Sequence, residues 1–152
     1  MRSTRQYGKK LDEALSMWVK LARAFATFNK ITVDHIRSFG LTQAQFGALE
    51  CLGHLGSMTI GELCRKQLVS GGNMTVIVDN LEKDGLVERI RSAEDRRVIV
   101  VQLTPTGKKK FLEIFPKHAE CVARAASVLS SAEMGEMSRL LKKLGVSLAK
   151  EG

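Results

Sequence analysis

Apolar residues recur along this chain of 152 residues at helical intervals over most of its length, and at the spacing of a strand in one place. Leu11, Ala14, Leu15, Trp18, Leu21, Ala22, Phe25 and Phe28 follow one another three or four residues apart. That spacing predicts a long helix over 11–40, with one stripe buried for most of its length and Gly40 as its stop. Thr42 with Gln45, Thr59 with Glu62 and Ser130 with Glu133 each match a capping box, in which each end satisfies a backbone donor the other leaves free. Each therefore opens a helix, and the last carries the stripe Met137, Leu140, Leu141, Leu144 and Leu148. Thr104 followed by Pro105 reads as an N-cap with proline at the first helical position. It predicts a helix from 105 toward 129, with a kink at Pro116.

The middle of the chain has a different rhythm. A helix over 59–67, the turn Leu68, Val69 and Ser70, and a helix Gly71–Lys83 have the short spacing of a helix-turn-helix. Next comes EDRRVIVV at 94–101, where two acids and two arginines run into four β-branched residues. Such a run fits a strand of a half-buried sheet. The expected hairpin climbs through 86–91, turns at 92–96 and returns through 97–103. The fold class is then mainly α with a small β-hairpin wing. It is one domain over 1–152: a basic arm at 1–10, a winged helix-turn-helix core at 42–104, and helical extensions at 11–40 and 105–152. Two long apolar stripes at opposite ends of so short a chain suit dimerisation, although packing of the stripes within one chain leaves the same pattern.

The helix Gly71–Lys83 separates into two faces. Met74, Ile77, Val78 and Leu81 define the core side, and Gly72, Val76, Asp79 and Lys83 the opposite one, flanked by Asn73, Thr75 and Asn80. An outward valine can meet a thymine methyl, and Asn73 can offer a bidentate amide to adenine. Ser70 is placed to cap this helix, and Gly71 and Gly72 let backbone N–H groups approach a phosphate. The plainer alternative is a flexible glycine turn and an ordinary exposed valine.

Charge favours the first reading. The net charge is +8, from 24 Lys and Arg against 16 Asp and Glu, with a pI near 9.7. That points to a polyanion or an acidic surface as partner. Between 86 and 110 there are seven basic residues and three acids, so half the net charge gathers around the hairpin. Over 59–85 three basic residues face four acids. Affinity is thus expected from the wing and the arm, and discrimination from the helix. At the hairpin tip Asp95 is placed to hold the guanidinium of Arg97 for a narrow minor groove, with Arg96 leaving the opposite face of the strand toward phosphates. A solvated ion pair at a loop tip is the alternative.

Asp95-x-Arg97, five residues, Leu103-Thr104, two residues and Gly107 resemble the D-x-R-x5-L/I-T-x2-G wing pattern of the MarR family of bacterial transcriptional regulators. The segment Asn80-Leu81-Glu82-Lys83-Asp84-Gly85-Leu86-Val87 and the order of helices are also similar to that family. The resemblance implies a homodimer joined through its first and last helices, bound to double-stranded DNA at a pseudo-palindromic operator. It also implies a repressor relieved by a small organic effector. Trp18, Phe25, His35 and Phe39 are candidate walls for that effector. Peroxide-sensing members place a cysteine early in the first helix, where this chain has none.

Cys51, Cys64 and Cys121 are odd in number and widely spaced, which argues for a reducing cytoplasm. Each reads as a small buried hydrophobe. His35, Cys51, His54 and His118 are too scattered for a metal site, although Cys51 and His54 could supply two ligands, and neither metal nor cofactor is expected. Basic residues at the N-terminus are followed by no apolar stretch, and no segment is long enough to span a bilayer, so no membrane partner is expected. No phosphate loop, nucleophile elbow or paired-histidine motif suggests an enzyme. A winged helix used purely for protein docking is the alternative function, disfavoured by a basic wing beside an outward-reading helix.

Overall fold

The computed structural model describes residues 7–67 and 71–150. In chain order the elements are α1 (Lys9–Arg37), α2 (Gln43–Leu55), α3 (Ile60–Gln67), α4 (Gly71–Lys83), β1 (Val87–Arg91), β2 (Ile99–Leu103), α5 (Pro105–Ala125) and α6 (Ser131–Ala149). The turn at Leu68–Ser70, including the expected Ser70 cap, lies outside the described residues, as does most of the basic arm.

All three capping boxes form. The Gln45 N–H donates to Thr42 Oγ1 at 3.1 Å while Thr42 N–H donates to Gln45 Oε1 at 2.9 Å. Thr59 with Glu62 and Ser130 with Glu133 repeat the exchange. Backbone N–H groups thus face the Glu62 and Glu133 carboxylates, which hold both below their ordinary pKa. Helix α5 starts as expected, with Thr104 as N-cap and Pro105 in the first turn. It passes through Pro116 and continues to Ala125, short of the expected 129, so the missing N–H there costs one ladder bond and does not end the helix.

A single core holds the winged domain together. Leu49 of α2, Leu63 of α3, Met74 and Leu81 of α4, Val87 of β1 and Val101 of β2 are all essentially inaccessible. Truncating such a side chain to alanine typically costs about 2–5 kcal/mol. The hairpin pairs Val87 with Leu103 and Arg91 with Ile99 in antiparallel register. Met58, in the loop before α3, adds a bridge to it by exchanging backbone hydrogen bonds with Val101 at 3.1 and 2.8 Å. No periodicity marks a single bridging residue, so sequence reading misses it.

The stripe of α1 departs from expectation. Its only buried residue is Ile36, while Leu11, Leu15, Trp18 and Phe25 are exposed, Phe25 to 65%. The chain lacks the surface to cover them: α2 and α5 pack on α1, but α6 buries none of its own residues. Met17, Leu21 and Ala24 of α1 and Met137, Leu140 and Leu144 of the α6 stripe line an open groove of about 950 Å³, to which Leu11, Leu15, Trp18 and Phe25 do not contribute.

A tight joint links α4, the hairpin and α5. Gly85, at φ 72°, ends α4, with the Leu86 N–H donating to Leu81 O at 2.9 Å and the Gly85 N–H to Glu82 O at 3.0 Å. Thr104 ties β2 back to this turn: its hydroxyl donates to Gly85 O at 2.6 Å and its N–H to Leu86 O at 3.1 Å. The same hydroxyl accepts from the Gly107 N–H at 3.0 Å. Gly107 then lies so close to Leu86 that an added Cβ would stand 1.8 Å from the Leu86 carbonyl oxygen. The Leu-Thr-x2-Gly spacing is therefore a packing requirement of the joint. Gly107→Ala is expected to destabilise the protein by about 3 kcal/mol, read as a fall in thermal midpoint, whereas Gly135→Ala, which meets open space, should stabilise or be neutral. Equal midpoints for the two variants would show that the joint gives way without cost.

Candidate nucleic-acid interface

The faces of α4 separate as their spacing predicts. Met74, Val78 and Leu81 are buried and Ile77 packs against the core, while Gly71, Gly72, Asn73, Thr75, Val76 and Asn80 are exposed. Val76 is 59% exposed. The Thr75 hydroxyl donates to Gly71 O at 2.9 Å, so its hydrogen is taken within the helix, and its lone pairs and methyl remain to meet a partner. Gly71 and Gly72 have open space where a Cβ would stand, consistent with close access to their backbone.

At the wing tip the expected ion pair is present and the expected strand is not. Asp95 accepts three hydrogen bonds from Arg97: from its N–H at 3.0 Å, its Nε at 3.2 Å and its Nη2 at 3.2 Å. The hydrogen bonds from the Arg97 side chain and then from its backbone hold the Asp95 carboxyl below its ordinary pKa. The Arg97 side chain is nonetheless 90% exposed. Strand β2 begins only at Ile99. Arg96 and Arg97 are the central residues of a turn closed by the Val98 N–H donating to Asp95 O at 2.9 Å. Strand alternation therefore cannot be what separates these two arginines. The β-branched run favours a strand, but the Asp95 side chain captures the Arg97 N–H and bends the chain before pairing begins.

Two other arginines of the hairpin are engaged internally, which the charge count could not reveal. Arg91 Nη1 donates to the backbone oxygen of Arg96 at 2.8 Å, bracing the tip. Arg89 turns toward α4, with its Nη2 on Asp79 and its Nη1 on Glu82, both at 2.5 Å. Burial lowers the Arg89 pKa, but the bonds to Asp79 and Glu82 more than reverse this and leave it raised. Contacts over 7 and 10 residues leave no periodic trace in sequence. On the other face of the ribbon, Gln102 Nε2 donates to Glu88 Oε1 across the strands at 2.7 Å.

The proposed effector walls do not gather within one chain. Trp18 and His35 are seventeen residues apart on one continuous helix, about 25 Å along its axis. Trp18 and Phe25 lie on the exposed stripe, whereas His35 and Phe39 meet edge to face at 5.1 Å between centroids. That second pair joins residues sequence reading did not select: His118 of α5 stacks 6.2 Å from His35 and lies tilted 4.7 Å from Phe46 of α2. Burial lowers the His118 pKa, opposed by Glu50 and reinforced by His35. His35 Nε2 and His118 Nδ1 are buried without a hydrogen-bond partner. Cys51 and Cys64 are half-buried and Cys121 buried, all as free thiols, and Cys51 Sγ accepts from Gln67 Nε2 at 2.9 Å. Among the described residues no cluster of three His, Cys, Asp or Glu could hold a metal ion, and no helix is long and apolar enough to cross a membrane.

Comparison with known proteins places this geometry. Residues 41–99, the winged core, match the profile of the MarR family. The HTH-type transcriptional regulator MhqR of Bacillus subtilis is 34% identical over 136 residues, covering 90% of this chain and 94% of that protein. Two crystal structures share the fold. AbsC, a MarR family transcriptional regulator from Streptomyces coelicolor, has a TM-score of 0.84 at 20% identity and covers 95% of this chain and 99% of its own. A MarR variant from E. coli, complexed with operator DNA, has a TM-score of 0.76 at 22% identity and covers 90% and 99%. An extended match at this identity, over a winged helix-turn-helix with this wing, is decisive: the chain belongs to the MarR family and is a DNA-binding transcriptional regulator, not an enzyme.

Proposed function

We propose that the protein is a repressor that binds a pseudo-palindromic operator as a homodimer, with α4 in the major groove of each half-site and Arg97 in the adjacent minor groove. The observation that carries this reading is the Asp95–Arg97 pair. An arginine entering a groove loses side-chain entropy, and one whose guanidinium donates two hydrogen bonds to a neighbouring carboxylate has lost part of it already. Asn73, Thr75 and Val76 read bases, Gly71, Gly72 and Asn80 line the approach, and Arg96 neutralises phosphate. Free thiols and a nucleic-acid partner suit the cytoplasm.

Selection from random duplex DNA at two salt concentrations tests the reading. A palindrome with half-sites about 10 base pairs apart is expected. Arg97→Ala should cost most at sites with A·T-rich flanks, and Arg96→Ala should weaken all duplexes and lower the salt slope by about one per wing. Asp95→Ala removes an acid from a DNA-facing tip, yet should bind more weakly because Arg97 is released. A tighter Asp95→Ala complex would sink the strut.

The dimer reading rests on area. The chain exposes 11119 Å². A compact monomer of this mass exposes about 7,600 Å². The excess, about 3,500 Å² per chain, is more than the roughly 1,000–2,500 Å² each partner of an obligate dimer covers, and exposed apolar side chains lie along α1 and α6. A chain ending at Ser130 should sediment as a monomer or aggregate and lose operator affinity. A stable dimer with full affinity would place the interface elsewhere.

For the effector, the His35, Phe39, Phe46 and His118 cluster is the better-supported location, since orphaned imidazole nitrogens and aromatic edges lie together there. A small organic effector seated at this junction of α1, α2 and α5 would raise the thermal midpoint of wild-type protein. The rise should vanish in His118→Ala and persist in Trp18→Ala. The opposite pattern would move the site to the exposed stripe.

A further inference from the structure

The wing and the recognition helix are joined twice. The first joint is the base of the ribbon, where the Gly85 turn, the Thr104 hydrogen bonds and the buried Val87 and Val101 hold the strands, and by itself it leaves the outer half of the ribbon free to bend. The second is Arg89. It stands on the inward row of β1, opposite the buried Val101, with its side chain 25% exposed. Its two Nη atoms reach Asp79 and Glu82, and its backbone N–H donates to Glu82 Oε1 at 3.2 Å. A guanidinium is planar, so gripping two carboxylates with separate nitrogens fixes orientation as well as distance. Arg89 is four residues beyond Gly85, about 13 Å along an extended strand. Two attachments that far apart oppose that bending. Asp79, meanwhile, is one helical turn beyond Val76 on the outward face, where an unpaired carboxylate would repel DNA.

We propose that Arg89 is a positioning residue for DNA recognition: by clamping β1 to Asp79 and Glu82 it sets the register between base reading by α4 and insertion of Arg97 at the wing tip. It is not a phosphate ligand, in spite of its place in the basic hairpin. The proposal rests on the reading of α4 and Arg97 given above.

Displacing the flank tests it. Binding is measured to the selected operator and to duplexes whose A·T-rich flanks are moved outward by one base pair from each half-site. Wild-type protein should lose about tenfold on displacement, the cost of one mismatched contact. The charge-conserving double variant Asp79→Asn with Arg89→Gln should bind the operator more weakly and discriminate by only about twofold. Its salt slope should equal that of wild type. Arg89→Lys, which keeps the charge and loses the fork, should fall between them, and it carries the test if the double variant melts early. Wild-type indifference to displacement would remove the minor-groove reading and this proposal together. Tenfold discrimination retained by the variants would remove the proposal alone. A salt slope lowered by about one per wing would make Arg89 a phosphate ligand and overturn it.

Discussion

The carbonyl of Leu86 is the point on which this structure turns. It accepts the Thr104 N–H and leaves no room for a side chain at Gly107, so the end of the recognition helix, both wing strands and the start of α5 meet within a few ångströms. The placing of the wing against the recognition helix and α5 follows from that closeness. The core beneath it is shared by α2, α3, α4 and the hairpin, so the winged domain has no part that packs alone. Because α5 begins at the same joint and runs back along α1, the orientation of the reading surface is linked directly to the helical extensions.

Acids placed in a basic protein's binding region look wasteful when counted, and purposeful when located. Asp95 takes up Arg97, while Asp79 and Glu82 take up Arg89. Exposed ion pairs of this kind contribute little to stability. Their value is geometric, because a charge held in one direction loses less entropy when it meets its target. The wing thus presents fewer unpaired cations than its composition suggests.

The helical extensions follow a different logic. Buried area holds the winged domain, whereas α6 buries none of its residues and α1 buries one. An apolar stripe on a helix is stable in water only when something covers it, and here the same stripes that predict helices leave the helices uncovered. The His35 and His118 pair sits where these two regimes meet, which is where a bound molecule could act on both.

What the sequence determined by itself is the set of local structures. Capping boxes, the Thr104–Pro105 start and the two-faced pattern of α4 were legible because each is settled within a few residues by backbone donors and helical spacing. The Asp95–Arg97 pair was legible for the same reason, being two residues apart. The start of β2 is also settled locally, by the turn hydrogen bond from Val98 to Asp95, but the β-branched run concealed it. Tertiary structure decided the rest. It alone brought Met58 to Val101, Arg89 to Asp79 and His35 to His118. Those contacts form between residues whose neighbours in sequence say nothing of one another, so only the packing of the whole core can choose them.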